Sequence, residues 1–214
     1  MIHIGAPSKD NRDFAVKFYN TDGGKANMCL NGVRCAATYV WDNKFAPKRT
    51  LIFQTKKIDV ECRPIKEGVE VILKNPTYFI SKDLEKKLSK VIKTSFKLVD
   101  LGNLHLCLQE KSIDQFDLNG LYKKLEALLR PLGINLSIYS KDKDSYNIRT
   151  YENGVGETLS CGSASFSVAY LCLKDEIKKT TIKSSGGSIK FTKLDDRILM
   201  SGPTKFVYSG SFHE

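Results

Sequence analysis

At 214 residues, with 41% hydrophobic and 27% charged positions, the chain is long enough to bury a full core as one large domain or two small ones. No apolar run nears the roughly 20 residues of a membrane span, and Met1 to Asp10 has neither leader nor lipidation pattern, so a cytoplasmic protein without a membrane partner is expected. The net charge of +10 invites a nucleic-acid partner, but 27 of the 34 basic residues are Lys, spread along the chain, and only seven are Arg; a solvated lysine surface and no nucleic acid are expected.

Taken in chain order, residues 14 to 19 read as a strand entering the turn Asn20-Thr-Asp-Gly-Gly. After Cys29, the positions Val33, Ala36, Ala37, Val40 and Trp41 recur at helical spacing until Asp42-Asn43. Strands are predicted at 51 to 55, 58 to 63 and 69 to 73, the last ending at Asn75-Pro76. A charged amphipathic helix follows over 82 to 93, with Ser81 as its cap and Leu84, Leu88 and Val91 on one face. A strand at 97 to 101 leads to Gly102-Asn103-Leu104-His105, and a helix over 118 to 129 is stopped by Pro131-Leu-Gly133. Strands at 135 to 139 and 146 to 151 precede a Gly-rich turn, then Cys161 and a helix with apolar positions Phe166, Ala169, Tyr170 and Leu173.

The unit of strand, turn, Cys and helix thus occurs twice, around Cys29 and around Cys161. Such a long-range repeat predicts an α+β fold of two pseudosymmetric halves, each a curled sheet or barrel around its own helix, with a site at their interface. The expected division is 1 to 75, with 204 to 214 returning to it, and 76 to 203. The other cysteines, at 35, 62, 107 and 172, show no disulfide framework, C-x-x-C pair or matching histidines, so free thiols and no metal are expected. Cys62, Cys107 and Cys172 read as small buried hydrophobes.

A thiol at a helix N-terminus is expected to have its pKa lowered by the free N–H groups and dipole there. Two such thiols on opposite faces of an α-carbon, one thiolate and one thiol, provide the base and the acid that inversion needs. Converging helix N-termini also supply N–H donors for charge developing on an α-carboxylate, so no cofactor is expected.

The residues carrying this pattern resemble the diaminopimelate epimerase family of two-cysteine racemases and epimerases. Phe18-Tyr-Asn20-Thr-Asp-Gly with Cys29-x-Asn-Gly-x-Arg-Cys35 is similar to the family's first motif, and Arg149-x-Tyr-Glu152-x-Gly-x-Gly-Glu-Thr-x-x-Cys161-Gly-Ser to its second. Gly102-Asn103-x-His105 and Asn135 are similar to two further segments, and the likeness runs from about Asp13 to the C-terminus. It implies Cys29 and Cys161 as the acid/base pair, with Glu152 and His105 supporting them. It also implies that the backbone at Leu30-Asn31 and Gly162-Ser163 holds the α-carboxylate, and that Asn20, Asn103 and Asn135 bind the distal end of an amino-acid substrate. A homodimer is implied as well.

Four departures from the family pattern bear on the substrate. Leu30 stands where the family has Gly, Ala164-Ser165 replaces a Gly-containing pair, and Leu104 replaces Pro. Asn153 occupies the substrate-binding place of an Arg that pairs with the distal carboxylate, a charged hydrogen bond worth about 1.5 to 3 kcal/mol. Before Asp13, a family opening segment on the order of 50 residues has no counterpart, which predicts an open sheet edge in the first half.

Overall fold

The computed structural model describes residues 1–20 and 23–211. In chain order these form strands β1 (Ile2–Gly5), β2 (Phe14–Tyr19) and β3 (Lys25–Ala26), helix α1 (Leu30–Asp42), and strands β4 (Leu51–Gln54), β5 (Asp59–Ile65), β6 (Gly68–Lys74) and β7 (Thr77–Tyr78). Helix α2 (Lys82–Val91), strands β8 (Phe96–Asp100) and β9 (Leu104–Gln109) and helix α3 (Leu118–Leu129) follow. The remainder is β10 (Asn135–Asp142), β11 (Ser145–Glu152), β12 (Gly156–Thr158), α4 (Gly162–Cys172), β13 (Lys179–Ser184), β14 (Gly187–Leu194) and β15 (Arg197–Gly202).

The strands form one curled, unclosed sheet in the order β1-β2-β4-β5-β6-β15-β14-β13-β11-β10-β9-β8-β7, with β3 added to β2 and β12 to β11. Its seam is β15, which pairs antiparallel with β6 from Arg197 opposite Lys74 to Gly202 opposite Val69. Among the described residues the outer side of β1 is an unpaired edge of the sheet.

Alternation along the strands decides what each face covers. In β6, Val69, Val71 and Leu73 point inward, as do Val60 and Cys62 in β5, against Val33, Ala37 and Val40 of α1. Helix α4 is buried on nearly all sides. Its small residues, Gly162, Ser163, Ala164, Ser165 and Ala169, let β9, β10, β13 and β14 wrap it closely, and Phe166 meets Phe191 of β14 edge-to-face at 5.9 Å. The opposite face of β8–β10 carries a second core, where Leu98, Leu106, Leu108, Leu136 and Ile138 pack with Leu84 and Leu88 of α2 and with Leu125 and Leu129 of α3.

Strand β9, for which the sequence reading assigns no element, pairs with β8 and, in parallel, with β10. Both of its faces are covered, so its apolar run lacks the alternation that marks a half-exposed strand. Strands β1 and β13–β15 carry no sequence prediction either. Beyond β15, Thr204 Oγ1 lies 2.7 Å from Thr38 Oγ1 on α1; residues 212–214 of the tail expected to return there lie outside the described residues.

Candidate active site

Cys29 and Cys161 are the N-caps of α1 and α4. Each has an extended backbone (φ −144°, ψ 103° and φ −112°, ψ 114°) that turns the chain from loop into helix. The Cys29 sulfur accepts the Gly32 N–H at 3.3 Å, whereas the Cys161 side chain makes no such cap bond and feels the nearby Ala164 N–H only as an influence that lowers its pKa. The first two N–H groups of each helix, at Leu30 and Asn31 and at Gly162 and Ser163, have no acceptor among the described residues. Four free donors therefore come from the two helix ends that carry the thiols.

These ends abut. A Cβ at Gly162 would lie 2.6 Å from Asn31 Oδ1 and 3.1 Å from Leu30 Cβ, so only Gly permits the approach. Asn31 Nδ2 donates to the Ser160 carbonyl at 3.2 Å. Cys29 and Cys161 are near enough for a charge on one to act on the other, and Glu152 acts on both. Leu30, at the place of a family Gly, is 1% exposed and packs into the core.

The electrostatics correct the expectation of acidic thiols. Burial pushes the Cys161 thiol up to about 12, with the Glu152 carboxylate adding to the rise. Cys29 is also raised, chiefly by burial, despite its bond from Gly32. In this closed arrangement desolvation outweighs the helix N-terminus, and both sulfurs are thiols at neutral pH. His105, on β9, is fully buried and its pKa falls to about 3, because burial disfavours the imidazolium. Its Nε2 lies 3.0 Å from Ser163 Oγ, which lies 3.4 Å from the Cys161 sulfur, so a neutral imidazole reaches the thiol through one hydroxyl. Glu152 accepts a 2.6 Å hydrogen bond from Thr158 across the β11–β12 turn.

The asparagines are more dispersed. Asn103 Nδ2 donates to the Met28 carbonyl, one residue before Cys29, at 3.2 Å. Asn135 Oδ1 accepts the Asn153 N–H at 2.8 Å, and Asn153 Nδ2 reaches the Leu129 and Arg130 carbonyls at 3.3 and 3.4 Å. Those two carbonyls belong to the C-terminal end of α3. Asn20 lies in an exposed turn closed by its N–H to the Gly24 carbonyl at 2.8 Å; Thr21 and Asp22 of the same motif lie outside the described residues. Ser160 and Thr158, which anchor Asn31 and Glu152, were missed by the sequence reading. The pairing of Thr158 with Thr150 across the short β11–β12 hairpin is the signal that could have found the second.

The thiols open into neither of two large clefts. One, of about 680 Å³, is lined by Arg12, Lys57, Asp59, Asn75 and Arg197; the other, of about 920 Å³, by Ile4, Phe14, Cys35, Tyr39 and Phe45. Among the described residues no group of three or more His, Cys, Asp or Glu is placed to hold a metal ion. No helix among them is long and apolar enough to cross a membrane.

Searching protein-family models returned no match. A curated diaminopimelate epimerase from Hydrogenobaculum sp. (strain Y04AAS1) is 32% identical over 206 residues, covering 92% of this chain and 74% of the relative. The chain belongs to the diaminopimelate epimerase family. A second diaminopimelate epimerase, from Bartonella henselae (strain Houston 1), is 31% identical over 226 residues, covering 98% of this chain and 78% of that protein. The fold is shared with a putative phenazine biosynthesis PhzC/PhzF protein from Clostridium difficile (strain 630), at TM-score 0.68 and 15% identity over 100% of this chain and 83% of that one. It is shared too with a predicted epimerase from Pseudomonas aeruginosa, at TM-score 0.63 and 14% identity over 93% and 78%. As a member of the diaminopimelate epimerase family, the protein is an isomerase of the epimerase type.

Proposed function

We propose that this protein interconverts LL- and meso-diaminopimelate without a cofactor, by a two-base mechanism in which Cys29 and Cys161 are the acid/base pair, serving lysine and peptidoglycan precursor synthesis. The observation that carries this reading is the meeting of two thiol-capped helix ends with four unused N–H donors, at Leu30, Asn31, Gly162 and Ser163. One thiolate takes the α-proton while charge moves onto the carboxylate, where those donors and the two helix dipoles stabilise it. The opposite thiol delivers its proton to the other face, and the two sulfurs finish with exchanged protonation states. Because burial keeps both thiols neutral at rest, the thiolate has to form as the site opens to substrate. A substrate ammonium placed near Glu152 offsets the carboxylate that raises both thiols.

A second reading keeps this chemistry and changes the substrate to another α-amino acid. It is favoured by Asn153, whose amide bonds to the end of α3 where the family's Arg would face a distal carboxylate. The test is incubation with single stereoisomers of diaminopimelate and of common amino acids in deuterated water, following α-deuterium and inversion. Exchange with diaminopimelate supports the first reading and exchange only with other amino acids the second. No exchange by the folded protein overturns both and leaves a catalytically degenerate family member.

A further inference from the structure

Each thiol is preceded by a residue whose carbonyl is held by a carboxamide from the other part of the fold. Met28, before Cys29, receives Asn103 Nδ2 from the β8–β9 turn, 75 residues away in sequence, at 3.2 Å. Ser160, before Cys161, receives Asn31 Nδ2 from α1, 129 residues away, also at 3.2 Å. The two bonds are reciprocal: α1, capped by Cys29, supplies the donor beside Cys161, and the turn leading into β9, which lies against α4, supplies the donor beside Cys29. Asn31 has a further constraint. Its Oδ1 is buried with no hydrogen-bond donor among the described residues and sits where a Cβ at Gly162 would be 2.6 Å away, so its carboxamide is held on both sides of Cys161. Leaving that acceptor unsatisfied is costly, and the cost is tolerated where the side chain brings two segments together.

We propose that Asn31 and Asn103 are positioning residues, a reciprocal pair of carboxamide latches that set the separation and facing of the Cys29 and Cys161 sulfurs. This rests on the two-thiol reading above but assigns the side chains a task distinct from holding substrate. A caging bond at the residue before each N-cap fixes where the helix starts and where its sulfur points. Placement on this scale controls rate, because a displacement of about 1 Å costs on the order of 100-fold.

The test bridges the two thiols with dibromobimane and quantifies the Cys29–Cys161 cross-linked peptide by mass spectrometry in the wild type, Asn31→Ala and Asn103→Ala. Asn31→Asp and Asn103→Asp keep the side-chain volume while removing the donor, and answer the question if an alanine variant fails to fold. At pH 9, where the thiolate fraction is larger than at neutral pH, wild type is expected to bridge measurably, and each variant that folds, judged by thermal unfolding, to bridge about tenfold more slowly or worse. With a turned-over substrate, kcat of the Asn31 variants should fall in both directions while KM stays within about twofold, the split expected of a transition-state interaction. Unchanged bridging in both Asp variants, a rise in KM alone for the Asn31 variants, or a wild type that does not bridge overturns the proposal. A wild type that bridges but exchanges no amino acid overturns the functional reading alone, and the bridging rates still decide the latches.

Discussion

The Ser163 hydroxyl stands 3.4 Å from the Cys161 sulfur on one side, with His105 Nε2 at 3.0 Å on the other. The imidazole therefore acts at Cys161 only through an intermediate hydroxyl, and it does so uncharged.

This arrangement carries a pH signature. His105 has a folded pKa of about 3, below the ordinary imidazole value of 6.5, because burial excludes the charged form. The unfolded chain thus binds a proton that the folded chain refuses, so the contribution is complete above pH 6.5 and is lost as pH falls from there toward 3. Between pH 6.5 and 5 the loss is on the order of 2 kcal/mol. Urea unfolding at the two pH values should show it in the wild type and not in His105→Asn; equal losses in both would remove His105 as the cause.

Removing either sulfur of the acid/base pair should abolish inversion. Cys29→Ala and Cys161→Ala are each expected to lower kcat by about 10²- to 10⁴-fold or more, the usual worth of a positioned acid or base. Cys62→Ala, in the core beneath α1, should keep its turnover. Steady-state racemisation assays settle the matter, and near-normal rates in either of the first two would end the role assignment.

Raised thiols also predict how the free protein reacts. Cys161, with a pKa of about 12, should be alkylated by iodoacetamide slowly at pH 7 and about tenfold faster per pH unit up to pH 9, following the thiolate fraction. Mass spectrometry of the Cys161 peptide reads the rate, and a flat profile over that range would mean that the thiolate already exists at neutral pH.

Gly162→Ala should separate the helix ends. The new Cβ would lie 2.6 Å from Asn31 Oδ1 and 3.1 Å from Leu30 Cβ, contacts relieved by turning the Asn31 carboxamide away from Ser160 and easing α1 from α4 by a few tenths of an ångström. Activity is expected to fall on the order of 100-fold with native circular dichroism; activity within about twofold of wild type would show that the ends have slack.

Asn153→Arg tests the distal end. If diaminopimelate is the substrate, the added guanidinium should lower its KM by about tenfold to a hundredfold, the value of about 1.5 to 3 kcal/mol from a charged hydrogen bond. A KM unchanged for diaminopimelate, measured alongside a neutral amino acid, would favour the second reading of the substrate.

The helices were legible because their apolar spacing is unambiguous. Helix α3 runs over Leu118–Leu129 as predicted, and α1 begins directly after Cys29. Strand β9 was not legible, since Leu106 and Leu108 face one core while His105 and Cys107 face the other direction, toward α4. Strands β13–β15 were hidden differently: their inward Ile182, Phe191 and Met200 are interleaved with Lys, Thr and Ser, which dilutes the apolar signal over any short window. At the site, residue spacing pointed to Cys29 and Cys161 as helix caps, but the protonation state depends on burial by distant segments. Neither the carboxamide of Asn31 nor the hydroxyl of Ser163 has a partner predictable from its neighbours in sequence, because Ser160 and His105 lie 129 and 58 residues away.

The β6–β15 ladder fixes an order of events at synthesis. Residues 197–202 are the strip that joins the early strands to the late ones, so a growing chain can fold α1 into its sheet but cannot stitch that sheet to the one around α4 until this strip has left the ribosome. Assembly of the thiol pair therefore waits until residues 197–202 have been made. A deletion confined to β15, which contains neither thiol, would unstitch the two parts of the sheet.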